Sequence, residues 1–157
     1  LPPGTGDIAV SLGQKVPTAE VLVVTTPQQA ASEVAERAGT MAALMNQKII
    51  GVVENMSWLA FTAPDTGKEY RIDLFGSGGG QEAADALSKR LGTEVPLLAQ
   101  VPMDIELRKG GDEGDPIVTA HPESPAAQAI VELAKNLDSR PRGLSGMHLG
   151  VSPTNNA

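Results

Sequence analysis

The sequence of 157 residues contains no cysteine. This absence excludes disulfides, thiolate zinc sites, cysteine nucleophiles and iron–sulfur clusters held by thiolates of this chain. Its two histidines, His121 and His148, lie far apart in sequence and lack the paired spacing of a metal-binding motif. We therefore assign no metal ligands.

Basic residues are also scarce, with 12 Lys and Arg against 19 Asp and Glu and a net charge of −7. This balance argues against a nucleic-acid partner, because such proteins concentrate basic residues against phosphates. No apolar run approaches the roughly 18–20 residues that cross a bilayer, and the first residues lack the order of a secretory signal. We expect a cytoplasmic protein without a membrane span.

Three short apolar runs, at residues 21–24, 49–53 and 97–101, predict buried parallel strands. Apolar residues with helical spacing between positions 31 and 45 predict the first helix. For its start we predict Thr26 as N-cap, Pro27 at the first position and Gln29 in a capping box.

A second helix is predicted to end at Gly92, and a third to begin at Ser124 and Pro125. Alternating strands and helices indicate an α/β fold with a doubly wound, mostly parallel sheet. Ligands of such sheets bind at the carboxyl ends of the strands. We therefore expect residues 25–28, 54–57 and 102–104 to line one crevice.

Aromatic residues are few, and all four lie in one insert between residues 57 and 75: Trp58, Phe61, Tyr70 and Phe75. They form either a small satellite core under a long loop or an exposed patch that closes a dimer or receives a partner. Residues 140–157 lack apolar periodicity, which predicts a flexible or surface-strapped tail after a domain at 1–139.

Three glycine-rich stretches remain. Residues 76–80 precede a helix, where backbone N–H groups can hold an anion, although a hinge or a tight helix entry is the favoured interpretation. Residues 108–116 read as a solvated connection. The opening LPPGTGD is stiffened by prolines, while its glycines permit close approach to a ligand, so this loop could respond to a terminal phosphate.

Taken together and in order, LPPGTGD, VVTTPQQAA, GVVENMS, FGSGGG, VPMDIELRKGGDEGDPIV and HPESPAAQA resemble the Mrp family of P-loop ATPases. This family is related to the MinD and ParA ATPases and includes iron–sulfur cluster carriers. The resemblance runs from residue 1 to about residue 137. It implies the carboxyl-terminal half of a P-loop NTPase fold, whose other half carries the Walker A loop.

The resemblance also implies a nucleotide site for ATP and Mg²⁺ in the complete protein. Asn55 corresponds to the adenine-contacting residue, Pro102 and Asp104 flank the base, and Thr26 and Pro27 lie at the rim. The switch loop facing the γ-phosphate consists of Pro3, Gly4, Thr5, Gly6 and Asp7, of which Thr5 and Asp7 are the catalytic candidates.

Without a Walker A loop, the charge on the transferred phosphate lacks its main stabilisers, so we expect these 157 residues alone not to hydrolyse ATP. Half of such a sheet also leaves an unpaired strand edge, which predicts self-association.

Family members form a face-to-face dimer and pass clusters to iron–sulfur acceptor proteins, which implies a homodimer through the 57–75 insert and the switch face, the surface that carries the switch loop. Cluster-carrying members place a CPxC pair in this segment, which has no cysteine here. That departure argues against a bridging cluster. Two alternatives stay open: a MinD/ParA-like switch that recruits a protein partner without a cluster, and a non-catalytic binding module.

Overall fold

The computed structural model describes residues 7–16 and 18–140. These residues form the helices α1 (Asp7–Lys15), α2 (Gln29–Leu44), α3 (Gly79–Leu91), α4 (Ile105–Glu113), α5 (Ile117–Ala120) and α6 (Pro125–Asp138). The strands are β1 (Val21–Thr25), β2 (Ile49–Thr62), β3 (Glu69–Ile72) and β4 (Leu97–Met103). The predicted tail lies outside the described residues, apart from Arg140.

The sheet is mixed, and β2 is its centre. β1 and β4 both pair with the first part of β2 in parallel, whereas β3 pairs antiparallel with its last four residues. The three predicted strands are therefore confirmed, and the predicted mostly parallel sheet is correct. Within the described part of the chain β1 is an edge strand, and Val24 is 61% exposed there.

Helices cover both faces of the sheet, as a doubly wound fold requires. On one face α2 and α3 pack on Val23 and Val52 through small residues and the fully buried Leu87. On the other face α5 and α6 pack on Val53 and Val101. Consecutive strand residues such as 52 and 53 point to opposite faces, which explains why the strands read as unbroken apolar runs.

The predicted start of the first helix is wrong. α2 begins at Gln29, and its N-cap is Gln28, whose side chain makes no capping hydrogen bond. The Thr26 hydroxyl instead donates to Gln28 Oε1 at 3.2 Å. Pro27 is held outside the helix, because its carbonyl packs against Gly79 of α3. A tertiary contact has overridden the local capping preference.

The other two helix boundaries are confirmed. α3 ends at Gly92, which is left-handed with φ 67°, and Ser124 Oγ caps α6 by accepting from Ala127 N at 3.1 Å. Both ends use residues that satisfy backbone groups left over at a helix terminus.

The predicted solvated connection at 108–116 is also wrong over most of its length, because α4 extends through Glu113. The glycines at 110 and 111 cost helix stability, but two side-chain pairs span the turns. Arg108 lies 2.8 Å from Asp112, and Lys109 lies 2.7 Å from Glu106. Gly114 ends the helix in the left-handed conformation.

The end of α6 is fastened to the start of β2. The register of β2 against β1 shifts between Val21 and Leu22, so Ile50 is the extra residue of a bulge. Arg140 Nη1 donates to the Ile50 carbonyl oxygen at 3.1 Å. A backbone acceptor at the bulge is thereby satisfied by a side chain from 90 residues away.

Candidate functional site

The candidate site lies where the parallel pairing of β1 with β2 ends, beside the last residues of β4. β1 ends at Thr25, opposite Glu54 of β2, and Asn55 of β2 lies opposite Val101 of β4. Because these strands are parallel, Thr25, Glu54 and Val101 lie toward one end of the parallel part of the sheet. The prediction that residues 54–57 and 102–104 follow their strands is wrong except for Asp104, because β2 continues to Thr62, where it pairs with β3, and β4 continues to Met103.

Asn55 lies at an irregularity of β2, where the pairing with β1 has ended at Glu54 and the register against β4 shifts before Leu59. Its Oδ1 accepts a hydrogen bond from Met56 N at 2.9 Å, and Met56 adopts a left-handed backbone with φ 58°. Such a conformation is uncommon for a residue with a side chain, and the Asn55 bond stabilises the turn. Within the described chain the Nδ2 group of Asn55 makes no hydrogen bond, so it remains able to donate to a ligand.

A cavity of about 680 Å³ borders Asn55 on the side of the β1 edge. Its walls come from α1, β1 and α2 and are mainly apolar, with Leu12, Val24 and Ala38 among them. Thr26, predicted at the rim of the site, also lines this cavity. An apolar wall beside a free amide donor suits a planar heterocyclic base.

Pro102 and Asp104, which were predicted to flank the base, differ in their environment. Pro102 is buried in the strand, while Asp104 follows it and is half-buried. Asp104 Oδ1 accepts from Glu106 N at 2.8 Å and from Leu107 N at 3.3 Å, and so caps α4. Asp104 thus lies at the same edge as Asn55, with one carboxyl oxygen committed to the helix.

Most of the predicted switch loop, namely Pro3, Gly4, Thr5 and Gly6, lies outside the described residues. Asp7 is exposed and is the first residue of α1 rather than part of a loop. A carboxylate in the first turn of a helix interacts favourably with the helix dipole, which accounts for the difference.

Glu54 is a buried residue next to Asn55 that the sequence interpretation treated only as one of several polar residues after a strand. It is 1% exposed, and its carboxyl group accepts hydrogen bonds from Gly80 N and Gln100 Nε2. The available signal was an ionisable residue that continues the apolar run of β2 without a turn residue between them. Buried carboxyl groups require such partners.

The glycines at 76–80 form a tight helix entry, as favoured from the sequence. Gly78 is the N-cap of α3 with φ 90°, and Gly79 and Gly80 are buried. The first turn of α3 contacts the carboxyl group of Glu54. An internal side chain therefore takes the place that an anionic ligand can take at such a helix start.

The 57–75 insert forms a hairpin from the end of β2 and β3, and we call residues 57–75 the aromatic hairpin. Phe61 and Tyr70 stack at 5.3 Å between ring centroids and are 45% and 42% exposed. The Arg71 guanidinium lies 4.1 Å from the centre of the Trp58 ring. The interpretation as a satellite core is wrong for Phe61 and Tyr70, because both rings face solvent.

Among residues 7–16 and 18–140, no group of three or more His, Cys, Asp or Glu side chains has the arrangement of a metal site. In the same part of the chain, every helix is too short or too polar to cross a bilayer.

Comparison with known families yields one model that covers most of the chain. The model, described as "ParA: NUBPL iron-transfer P-loop NTPase", matches residues 1–138. An iron–sulfur cluster carrier protein of Mycobacterium leprae is 53% identical over 98% of the chain. One from Deinococcus radiodurans is 47% identical over 87% of the chain. The chain spans only 39% and 36% of the lengths of these two relatives.

Solved structures give the same fold. The septum site-determining protein MinD of Pyrococcus horikoshii, complexed with Mg-ADP, superposes with a TM-score of 0.56 at 27% identity. This match covers 81% of the chain and 42% of that protein. A nucleotide-binding protein of Archaeoglobus fulgidus in complex with ADP has a TM-score of 0.52 at 34% identity. It matches 73% of the chain and 43% of its own length. The resemblance drawn from the sequence motifs is thus confirmed at the level of family and fold.

Proposed function

Because the chain belongs to the ParA family of P-loop NTPases, in the branch described as iron-transfer proteins, we propose that it supplies the base side of an ATP site. The observation that carries this proposal is Asn55, which lies in the central strand β2 at the last residue before its register against β4 shifts, with its Nδ2 group uncommitted beside an apolar cavity. Thr26 follows β1 and Asp104 follows β4, the two strands that pair with β2, and in this proposal both flank the base. The whole protein would use ATP turnover in iron–sulfur cluster transfer, as the names of its relatives suggest.

The residues present fit the base end of the nucleotide better than the phosphate end. The sequence contains Gly67 and Lys68, but Glu69 follows them where a phosphate loop has Ser or Thr. In our proposal Thr5 and Asp7 would be the residues of this chain on the γ-phosphate side, and the Asp7 carboxylate would accept hydrogen bonds from water bound to Mg²⁺. Hydrolysis requires a phosphate-cradling loop in addition, so we predict no ATPase activity for these 157 residues alone.

The test is the affinity for ATP and ADP of the complete natural polypeptide that contains these residues, measured by calorimetry. Asn55→Ala is expected to weaken binding by about 1–3 kcal/mol, or roughly 5- to 150-fold, because a base contact is lost. The matched control is Asn136→Ala. Asn136 is exposed on α6, one turn before Arg140, which contacts the opposite end of β2.

Unchanged affinity in Asn55→Ala would remove Asn55 from the site and this proposal with it. An equal loss in Asn136→Ala would mean that the affinity reports general stability rather than a contact with the base.

Iron–sulfur chemistry is the second part of the proposal. With no cysteine in the sequence, we propose that this portion contributes the nucleotide-dependent switch and not the cluster ligands. The rival function is a MinD/ParA-like switch that recruits a protein partner, which the exposed rings of the aromatic hairpin favour. Iron and acid-labile sulfide in the reconstituted complete protein separate the two. A stoichiometric cluster supports the carrier role, and its absence supports the switch.

A non-catalytic binding module is the third possibility. It would be excluded if the natural polypeptide contains a GKGGVGKS-like loop before residue 1. It would be favoured if calorimetry detects no nucleotide binding by that polypeptide.

We further propose that two copies of the complete protein meet through the aromatic hairpin and the switch face. Stacked and exposed Phe61 and Tyr70 offer the apolar area that anchors such interfaces. Phe61→Ser is expected to shift the protein from dimer to monomer in sedimentation velocity with ATP present. Iron–sulfur acceptor proteins are the proposed partners of the dimer.

The cytoplasmic location stays a prediction, and cell fractionation tests it. The net charge of −7 continues to disfavour a nucleic-acid partner.

A further inference from the structure

Glu54 is an ionisable residue inside the core of the protein. Only 1% of its surface is exposed, and it ranks with Leu87 and Val52 among the largest fully buried side chains of the described residues. A buried carboxyl group is costly unless its oxygens are hydrogen-bonded. Both oxygens of Glu54 have a donor: Gly80 N lies 2.6 Å from Oε2, and Gln100 Nε2 lies 2.7 Å from Oε1.

The backbone of Glu54 makes a further contact with the start of the aromatic hairpin. The hydroxyl of Ser57, itself 2% exposed, donates to the Glu54 carbonyl oxygen at 3.0 Å. Ser57 begins the aromatic hairpin, and Gly80 follows shortly after its last residue. Glu54 therefore contacts the chain on both sides of the aromatic hairpin. Its carbonyl oxygen accepts from Ser57 at the start, and its carboxyl group accepts from Gly80 just after the end.

The packing around Gly80 leaves no space for a side chain at this position. A Cβ atom on Gly80 would lie 2.6 Å from Glu54 Cβ and 2.9 Å from Oε2, distances shorter than side chains tolerate. A Cβ on Gly79 would collide with the carbonyl oxygen of Pro27, in the loop after β1. The start of α3 is thus packed against the loop after β1 and against Glu54 within β2.

Asn55 follows Glu54 directly and carries the proposed contact with the base. We propose that Glu54 is a positioning residue that couples this contact to the aromatic hairpin, an inference that rests on the proposed nucleotide site at Asn55. Closely packed and fully hydrogen-bonded groups move together rather than yielding individually. A displacement of residues 54 and 55 when a nucleotide binds is then passed to Ser57 and to Gly80, and so to both ends of the aromatic hairpin.

Trp58 provides the readout, because it is the sole tryptophan of this sequence and its ring contacts Arg71. The experiment uses the complete natural polypeptide with Trp58 as its only tryptophan. ATP or ADP is titrated while Trp58 emission is recorded, and calorimetry measures binding independently. In the wild type we expect a saturable change in emission with the same midpoint as the binding isotherm.

Two variants at position 54 separate the effect of side-chain length from a general loss of stability. Glu54→Asp keeps the carboxyl group but is one methylene too short to hold Gly80 N. It is expected to bind nucleotide within about threefold of the wild type while losing most of the emission change. Glu54→Gln keeps the length, and the Gln100 amide can turn to match it, so this variant should retain most of the change. The control is Glu82→Gln, an exposed carboxyl in the first turn of α3.

A full emission change in Glu54→Asp would overturn the inference, and so would an equal loss in Glu54→Gln and Glu54→Asp. If Glu54→Asp does not fold, Ser57→Ala takes its place, because it deletes only the hydroxyl that joins the start of the hairpin to Glu54. We expect it to lower the emission change at least about twofold, and an unchanged response would overturn the coupling. A wild type that binds no nucleotide in the calorimeter would refute the proposed site, and this inference with it.

Discussion

Replacing Gly80 by alanine tests the packing of α3 against Glu54 in β2. The added methyl group would lie 2.6 Å from Glu54 Cβ, so either the helix or the strand must shift. Overpacking of this kind costs about 1–3 kcal/mol. Losing the Gly80 hydrogen bond to a carboxyl group costs about 1.5–3 kcal/mol, while the higher helix propensity of alanine returns about 1 kcal/mol. We expect a net loss of about 1.5–5 kcal/mol in the free energy of unfolding.

The assay is urea-induced unfolding followed by far-ultraviolet circular dichroism at fixed protein concentration. Gly111→Ala is the matched control, because Gly111 is also helical but the position that its new methyl group would take has no neighbouring atom within 4 Å outside its own helix backbone. This control should be more stable than the wild type by about 0.5–1 kcal/mol. If Gly80→Ala were as stable as Gly111→Ala, the close approach of α3 to Glu54 would be refuted.

Two further substitutions test the core and a helix cap. Leu87→Ala removes a fully buried side chain between α3 and the sheet and should cost about 2–5 kcal/mol in urea unfolding, whereas Leu44→Ala, at a position 75% exposed, should cost less than about 0.5 kcal/mol. Asp104→Ala removes the N-cap of α4 and should cost about 0.5–2 kcal/mol, with Asp104→Ser recovering most of the loss. Equal stability of Leu87→Ala and Leu44→Ala would contradict the packing of Leu87. Equal stability of Asp104→Ala and Asp104→Ser would contradict the cap.

The parallel strands and the main helices were predictable because a local sequence pattern indicates each of them. The apolar runs of β1, β2 and β4 and the capping residues Ser124 and Gly92 need no knowledge of distant contacts. The start of α2 was not predictable in this way, because Pro27 is held by Gly79, far along the sequence. α4 was missed because glycines suggest a loop, while its cap and side-chain pairs keep it helical.

The candidate site was predictable in part. The rule that parallel strands end at one edge predicts Asn55 and Asp104 near each other; in the structure Asn55 pairs with Val101 of β4, and Asp104 follows that strand. The role of Asp104 as a helix cap depends on backbone donors that a motif does not display. Glu54 was missed because a charged residue after a strand is ordinarily solvated, and only its partners at 80 and 100 make its burial intelligible.

The bond from Arg140 to Ile50 has a consequence for the order of folding. It closes a loop of 90 residues, and closing long loops is entropically unfavourable until the intervening elements have docked. This hydrogen bond should therefore form late, after the sheet and α6 are in place. A chain shortened to residue 138 lacks this donor, and we expect it to keep its helices while the start of β2 opens more readily, seen as faster hydrogen exchange of the amides around Ile50.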